Sequence, residues 1–341
     1  MDPVGRLWSE TGATQRASGT IRKLVSLWIK INGSNLVAVT PARPRAHLAI
    51  PRRYPMKTTP NLNRRQFLTT SLGWAALAAA GTRMPLHAAG PAKVPFGGLK
   101  LGVASYSFRK FTLDQAIAMT TELGLKYISL KDFHLPMKST KAERQAVRKK
   151  IEAAGLVLMG GGVIYLGNKE DEVRAVFEYA SDAGMPLLVT SPEPTAVDLM
   201  EKYAIRHDIR VAIHNHGPGD KRFPLPINAY RAIEKRDRRL GLCIDVGHTL
   251  RIGGDPVADL RKYADRLYDV HIKDVSAIGT KFEDMPYGKG ILDVRGVLKA
   301  LLDIKFSGHL EMEYEAQPET PLPGMKESIA YVQKVVDELG G

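Results

Sequence analysis

Between residue 97 and the end of the chain, eight short apolar runs alternate with eight longer stretches of helical period. Few folds accept that pattern. The runs are Leu99–Tyr106, Tyr127–Lys131, Leu156–Gly161, Pro186–Thr190, Arg210–Asn215, Leu240–Asp245, Leu267–Lys273 and Gly308–Glu315. The helical stretches fall near 112–123, 141–154, 170–183, 195–206, 227–236, 255–264, 293–303 and 325–338. Local signals agree with these bounds. Thr112 precedes one helical run, Gly124 and Gly155 follow two others, and Pro256 stands in a first turn after Asp255. Eight such units in about 245 residues predict a single (β/α)8 TIM barrel, an α/β fold, over residues 94–341. A doubly wound open sheet is the rival and typically has fewer strands.

The alternation inside the strands favours the barrel. Val211 and Ile213 share one face while Ala212, His214 and His216 share the other. Leu242 and Ile244 oppose Cys243 and Asp245, and Val270 and Ile272 oppose Asp269, His271 and Lys273. Leu310, Met312 and Tyr314 oppose Glu311, Glu313 and Glu315. Each strand thus offers an apolar face to helices and a polar face whose ionisable groups gather near its C-terminal end, where a barrel places its chemistry. An open sheet covered on both sides would bury those carboxylates unpaired, at several kcal/mol each.

The inward residues at these ends form one constellation. Strand five supplies His214 and His216 in IHNHGP, and strand six supplies Asp245 with His248 in IDVGH. Strand seven supplies His271 and Lys273 in VHIKD, and strand eight supplies Glu313 in EMEYE. Imidazole and carboxylate together suit one divalent metal ion, Mn²⁺, Co²⁺, Fe²⁺ or Zn²⁺, with Mg²⁺ disfavoured as histidines accumulate. Any one of these motifs is commonly structural. Four consecutive strands ending in this way point to a metal site.

IDVGH, VHIKD, the terminal EYE and the eight-unit pattern resemble the xylose-isomerase-like barrels over about residues 97–339. That superfamily holds sugar and sugar-phosphate isomerases and epimerases, inosose dehydratase and type IV endonucleases. The resemblance implies a metal held by Glu, Asp, His and Glu from four strand ends. Asp245, His271 and Glu313 match the last three, and His214 stands where the first glutamate is expected. In the ketose epimerases of the family both glutamates exchange protons with substrate. The histidine therefore puts a two-carboxylate epimerisation in doubt and brings lyase or dehydratase chemistry forward.

The expected reaction is proton abstraction next to the carbonyl of a small sugar or polyol. His214, Asp245, His271 and Glu313 are assigned to the metal. Glu313, His248 and Lys273 are assigned to catalysis, with Glu313 also serving as base. His216, Lys131, His134 and Arg251 are assigned to substrate. Lys273 either holds an oxyanion or makes a salt bridge to Asp269 or Asp274. Glu193 is a reserve carboxylate, Cys243 is core filling, and the DMPYGKG turn in the long loop 274–292 is a candidate lid. Asn215 faces the helices and pins a loop. A sugar-binding barrel without catalysis is the alternative from another functional class.

Charge excludes one branch of the superfamily. The first 93 residues carry 14 of the 49 Lys and Arg but 2 of the 36 Asp and Glu, so the formal net charge of +13 leaves only +1 for the remainder. A nearly neutral barrel lacks the basic face that nucleic acid requires. The basic N-terminal stretch reads as a leader. NLNRRQFL at 61–68 followed by the apolar Leu72–Ala80 has the form of a twin-arginine export signal, too short to span a bilayer. Residues 56–93 are therefore expected to direct export to the periplasm. Residues 1–55, ahead of Met56, are expected to be a spurious or disordered extension. The single cysteine, Cys243, allows no disulfide within the chain, and the sequence does not fix the oligomeric state.

Overall fold

A computed structural model describes residues 94–340. The extension read at 1–55 and the leader at 56–93 lie outside the described residues. Eight parallel strands close into a barrel: β1 Lys100–Ala104, β2 Tyr127–Leu130, β3 Val157–Leu166, β4 Leu187–Pro192, β5 Arg210–His214, β6 Leu240–Asp245, β7 Leu267–Ile272 and β10 His309–Met312. Around the barrel each strand is neighbour to the next in sequence, and β10 closes onto β1. A short antiparallel hairpin, β8 Asp274–Val275 with β9 Asp284–Met285, follows β7. No described helix is long and apolar enough to cross a membrane.

Nine α-helices lie among the described residues: α1 Leu113–Glu122, α2 Lys141–Ala153, α3 Glu170–Ala183, α4 Val197–His207, α5 Pro226–Ile233, α6 Val246–Arg251, α7 Pro256–Lys262, α8 Val294–Asp303 and α9 Leu322–Glu338. Their starts are chemically specified. Thr112 with Gln115, and Thr140 with Glu143, form reciprocal capping boxes. Asp293 caps α8 through Gly296 N–H. The helix α6 was not expected; it fits between Asp245 and the helix read at 255–264.

The core divides as the strand alternation requires. Val211, Ile213, Leu242, Ile244, Val270, Ile272, Leu310 and Met312 pack outward with the helices. Each such side chain contributes about 1.5–3 kcal/mol through burial. Val163, Leu187, Val189, Ala212 and Cys243 form a separate, smaller cluster in the barrel interior. The interior above it is polar. Register places Asp245 beside His271 and His271 beside Glu311, so three strands deliver ionisable groups at neighbouring heights.

Three of the strand ends that differ from expectation bear on the site. β1 stops at Ala104, and Tyr106 rides a 3-10 turn. β10 stops at Met312, so Glu313 and Glu315 stand just beyond it. β3 runs on to Leu166, five residues past the predicted end, and brings Tyr165 to the mouth.

Candidate metal centre at the barrel mouth

At the C-terminal ends of β5, β6, β7 and β10, one ligand atom from each of His214, Asp245, His271 and Glu313 lies within 4.8 Å of every other. Nε2 of His214 is 3.2 Å from Nδ1 of His271 and 3.6 Å from Oδ2 of Asp245. Nδ1 of His271 is 3.3 Å from Oε2 of Glu313. All four side chains are buried.

Local folding fixes each of them. Asp245 ends β6 and caps α6, its Oδ1 accepting from His248 N–H at 2.7 Å. Its other oxygen, Oδ2, is buried without a hydrogen-bond partner and faces the cluster. Asn215 holds this turn from behind, accepting from Asp245 N–H at 3.1 Å and donating to Thr249 Oγ1 at 3.1 Å. Asn215 thus turns away from the cluster towards α6, and the turn it pins is the one that carries Asp245. Gly217, at φ +73°, leaves no room for a side chain against the His248 carbonyl. It lets the chain turn back directly behind His216.

Lys273 lies beneath the carboxylates with its side chain 2% exposed, 2.9 Å from Glu313 and 3.6 Å from Asp245, and hydrogen-bonded to Glu315. Its partners are therefore neither Asp269 nor Asp274. Asp269 faces His271, and Asp274 accepts from backbone N–H groups of the loop that follows. Burial alone would raise the Asp245 carboxyl, but His248, Lys273 and His214 outweigh it and hold the group ionised. Burial is likewise outweighed at Glu313, by Lys273 and His271, and its carboxyl lies well below the usual range. The same carboxylates hold Lys273 charged against its burial. Burial keeps His214 neutral and lowers His248 to about 4.

These residues fit a divalent cation. They offer two neutral or neutralisable imidazoles, two ionised carboxylates and one unpartnered oxygen. With His271 deprotonated as a ligand, Asp245, Glu313 and Glu315 set three negative charges against the one ammonium of Lys273, a shortage that two positive charges make good; without an ion, Glu313 draws a proton onto His271 and the imidazolium covers part of it. Two other groupings share His271. Cys243 lies near His214 and His271, but burial pushes its thiol well up and keeps it protonated, a poor ligand. Asp269 and Glu311 face Nε2 of His271 at 3.8 and 3.6 Å. Burial and the neighbouring Asp269 raise Glu311, which keeps its proton, and Ser129 also donates to it. This pair orients the ring so that Nδ1 faces the metal group.

Above the cluster opens a cavity of about 380 Å³ lined by Tyr106, Lys131, Tyr165, His216, His248 and Glu313, among others. His216 stacks on Tyr165, with ring centroids 5.6 Å apart, and meets its hydroxyl at 3.2 Å. Lys131 donates to the Val163 carbonyl, and burial lowers its pKa. His134 and Arg251, expected at the substrate, do not line this cavity. His134 is buried in the loop after β2 against the Phe111 carbonyl at 3.0 Å. Arg251 lies behind His248, contacting its Nδ1 at 2.9 Å and covering the Phe282 ring. It therefore steadies the His248 ring and stands outside the cavity lining. The DMPYGKG turn does not close the mouth. Tyr287 is buried with its hydroxyl on the Ile272 carbonyl at 2.7 Å, and Phe282, earlier in that loop, reaches the cavity instead.

Residues 117–335 match the family of xylose isomerase-like TIM barrels. Inosose dehydratase of Salmonella typhimurium (strain LT2) is similar, 29% identical over 163 residues that cover 42% of this chain and 52% of that enzyme. The chain thus spans about half the length of this relative. Among solved structures, the 3-keto-D-glucoside 4-epimerase YcjR of E. coli superposes with TM-score 0.57 at 17% identity, covering 69% of this chain and 99% of that one. The IolI protein with a bound zinc atom superposes with TM-score 0.60 at 17% identity, covering 70% and 99%. At those identities the two structures speak for the fold alone. With the match across 117–335 and the closed eight-stranded parallel barrel, this chain belongs to the xylose isomerase-like TIM barrel family.

Proposed function

We propose that this protein is a divalent-metal-dependent enzyme that removes a proton next to the carbonyl of a sugar or polyol and returns it elsewhere, in the manner of an isomerase or epimerase. The observation that carries the reading is the buried group His214, Asp245, His271 and Glu313 at the mouth, with more carboxylates than Lys273 can balance. These four residues would hold Mn²⁺, Co²⁺, Zn²⁺ or Mg²⁺. When bound, such an ion supplies Lewis acidity to the substrate's carbonyl. Glu313, ionised and lining the cavity, takes the proton. His248 is neutral near pH 7 and stands with Nε2 3.8 Å from Asp245, where it donates to substrate oxygen or relays the proton. His216 and Lys131 hold substrate hydroxyls from the cavity wall. Lys273 keeps Asp245 and Glu313 ionised.

Dehydration is the second reading, and His214 favours it. With a histidine at that position the site offers one carboxylate base, not two, so a proton removed by Glu313 and a hydroxyl lost with help from His248 become a natural sequence. The likeness to inosose dehydratase supports the same direction. The test is to incubate the Mn²⁺-loaded protein with 2-keto-myo-inositol and a panel of ketoses in D2O and follow the products by NMR. Deuterium entry at a carbon next to the carbonyl is expected. A dehydrated product selects the second reading, and a metal-loaded protein that exchanges no such proton across the panel refutes both. Export by the twin-arginine segment at 61–80 is proposed alongside. Cell fractionation with N-terminal sequencing tests it, since a full-length cytoplasmic product would rule it out.

A further inference from the structure

We infer that the mouth of this barrel is built for an uncharged polyhydroxy carbonyl compound and rejects phosphate esters. The inference rests on the reading above and decides a question that the metal group leaves open. It follows from where the positive charge and the free N–H groups have gone.

Barrels of this architecture commonly grip phosphate with the loops after the last strands and a helix N-terminus. Here those places are filled by the chain itself. After β7, the buried Asp274 carboxylate accepts from the N–H groups of Val275 (2.9 Å), Gly288 (2.9 Å), Gly290 (2.9 Å) and Leu292 (3.0 Å). That is the donor set of an anion nest, closed around an internal anion. Gly290 is required for it, because a Cβ there would fall 2.1 Å from Asp274 Oδ1. After β6, the N-terminus of α6 is capped by Asp245. After β10, α9 opens with Pro321, Leu322 and Pro323, and proline offers no N–H. The Tyr314 hydroxyl sits against Gly324 in that same first turn.

The cations are committed as well. Lys273 is held among three carboxylates. Arg222 is paired with Glu193 and donates to the Ser191 carbonyl at 2.8 Å. Arg251 is spent on His248 and the Gly279 carbonyl. Lys131 is the one Lys or Arg that lines the cavity among the described residues, and it lies on a carbonyl. One ammonium beside the carboxylates of Glu313 and Glu315 cannot offset a dianion. The rest of the lining suits a neutral sugar. Tyr106, Tyr165 and Phe282 add aromatic rings to the cavity wall, and His216 and His248 add uncharged polar ones.

The test is calorimetric titration of the Mn²⁺-loaded protein with two matched pairs, D-ribulose against D-ribulose 5-phosphate and D-fructose against D-fructose 6-phosphate, with 2-keto-myo-inositol as a third neutral probe. Neutral compounds are expected to bind at least about tenfold more tightly than their phosphates. Equal or tighter binding of a phosphate ester overturns the inference while leaving the enzymatic reading intact. Failure of every ketose and of 2-keto-myo-inositol to bind removes that reading, and this inference with it. Glu193→Gln supplies a positive control in the same assay. It frees Arg222 beside Tyr165 and should narrow the discrimination by about threefold or more; an unchanged ratio would show that paired cations are not what excludes phosphate.

Discussion

Replacing Lys273 by methionine tests the charge arrangement of the site directly. The ammonium is 2% exposed and contacts Glu313 at 2.9 Å, Asp245 at 3.6 Å and Glu315. Methionine keeps most of the volume and removes the charge. In the metal-free protein the three carboxylates are then left with the His271 imidazolium as their one close cation. Removing one partner of a buried ion network costs about 3–5 kcal/mol. For a domain of this size each kcal/mol moves the midpoint by roughly 2–4 °C, so the melting temperature in chelator should fall by about 10 °C. Saturating Mn²⁺ should return most of that loss, since a divalent ion supplies the missing charge and a ligand at a hundred times its Kd adds about 2.7 kcal/mol. Lys273→Met should also bind the ion more tightly than wild type, by about tenfold or more, because a unit charge acting on a doubly charged ion across a few ångströms has that effect even under waterlike screening. Scanning fluorimetry at a fixed scan rate, with chelator and with graded Mn²⁺, measures the first effect, and calorimetry measures the second. A midpoint in chelator within about 2 °C of wild type, or weaker metal binding in the variant, would refute the assignment of Lys273 as the counter-charge of Asp245 and Glu313.

Other outcomes follow from the same geometry. Asp245→Asn keeps a competent cap for His248 N–H but loses the charge. It and Glu313→Gln should each lower metal occupancy at least about tenfold while circular dichroism shows an intact barrel. For His248, the folded pKa of about 4 lies below an unfolded value of about 6.5. The unfolded chain therefore takes up the proton first as pH falls. The stability due to neutral His248 is complete above about 6.5 and declines as pH falls towards 4, by up to roughly 3 kcal/mol. His248→Gln in chelator should flatten that part of the pH–stability curve. Asn215→Ala strands the Asp245 N–H and removes a donor from Thr249 Oγ1, whose own bond to the Asp245 carbonyl stays. It should cost about 1–3 kcal/mol and about tenfold in metal affinity, read by denaturant titration and calorimetry.

The grouping of His214, Asp245, His271 and Glu313 was legible because strand period is rigid. Once Val211, Leu242, Val270 and Leu310 were placed outward, His214, Asp245, His271 and Glu313 had to face the interior, and the strand ends set their height. Residues beyond a strand end obey no such rule. Lys131 and Glu313, one residue past their strands, kept their direction, but His134 and Arg251, several residues on, were turned aside by local turns. Tyr165 was missed for a related reason. Gly160, Gly161 and Gly162 carry no side chains to show alternation, so β3 looked finished where it continues to Leu166. The apolar run Val163–Leu166 was the available signal. Helix α6 is six residues long and contains Gly247 and the β-branched Val246 and Thr249. Its propensity is poor, and it exists because Asp245 caps it and Asn215 ties its first turn. The partners of Lys273 were not legible either, since Asp269 and Asp274 are close in sequence while Glu313 and Glu315 meet it only through the closed sheet.

Asp245 divides its two oxygens between separate tasks, and this limits how the site can be retuned. Oδ1 is committed to the backbone of α6 and Oδ2 faces the cluster. The residue can therefore lend an ion one oxygen and cannot swing to chelate with both. Asp245 would thus meet an ion through Oδ2, while Oδ1 keeps the helix start in place. A change to glutamate, one methylene longer, would have to abandon either the helix start or the ion. The oxygen that Asp245 can turn towards the cluster is thus selected by the first turn of a helix.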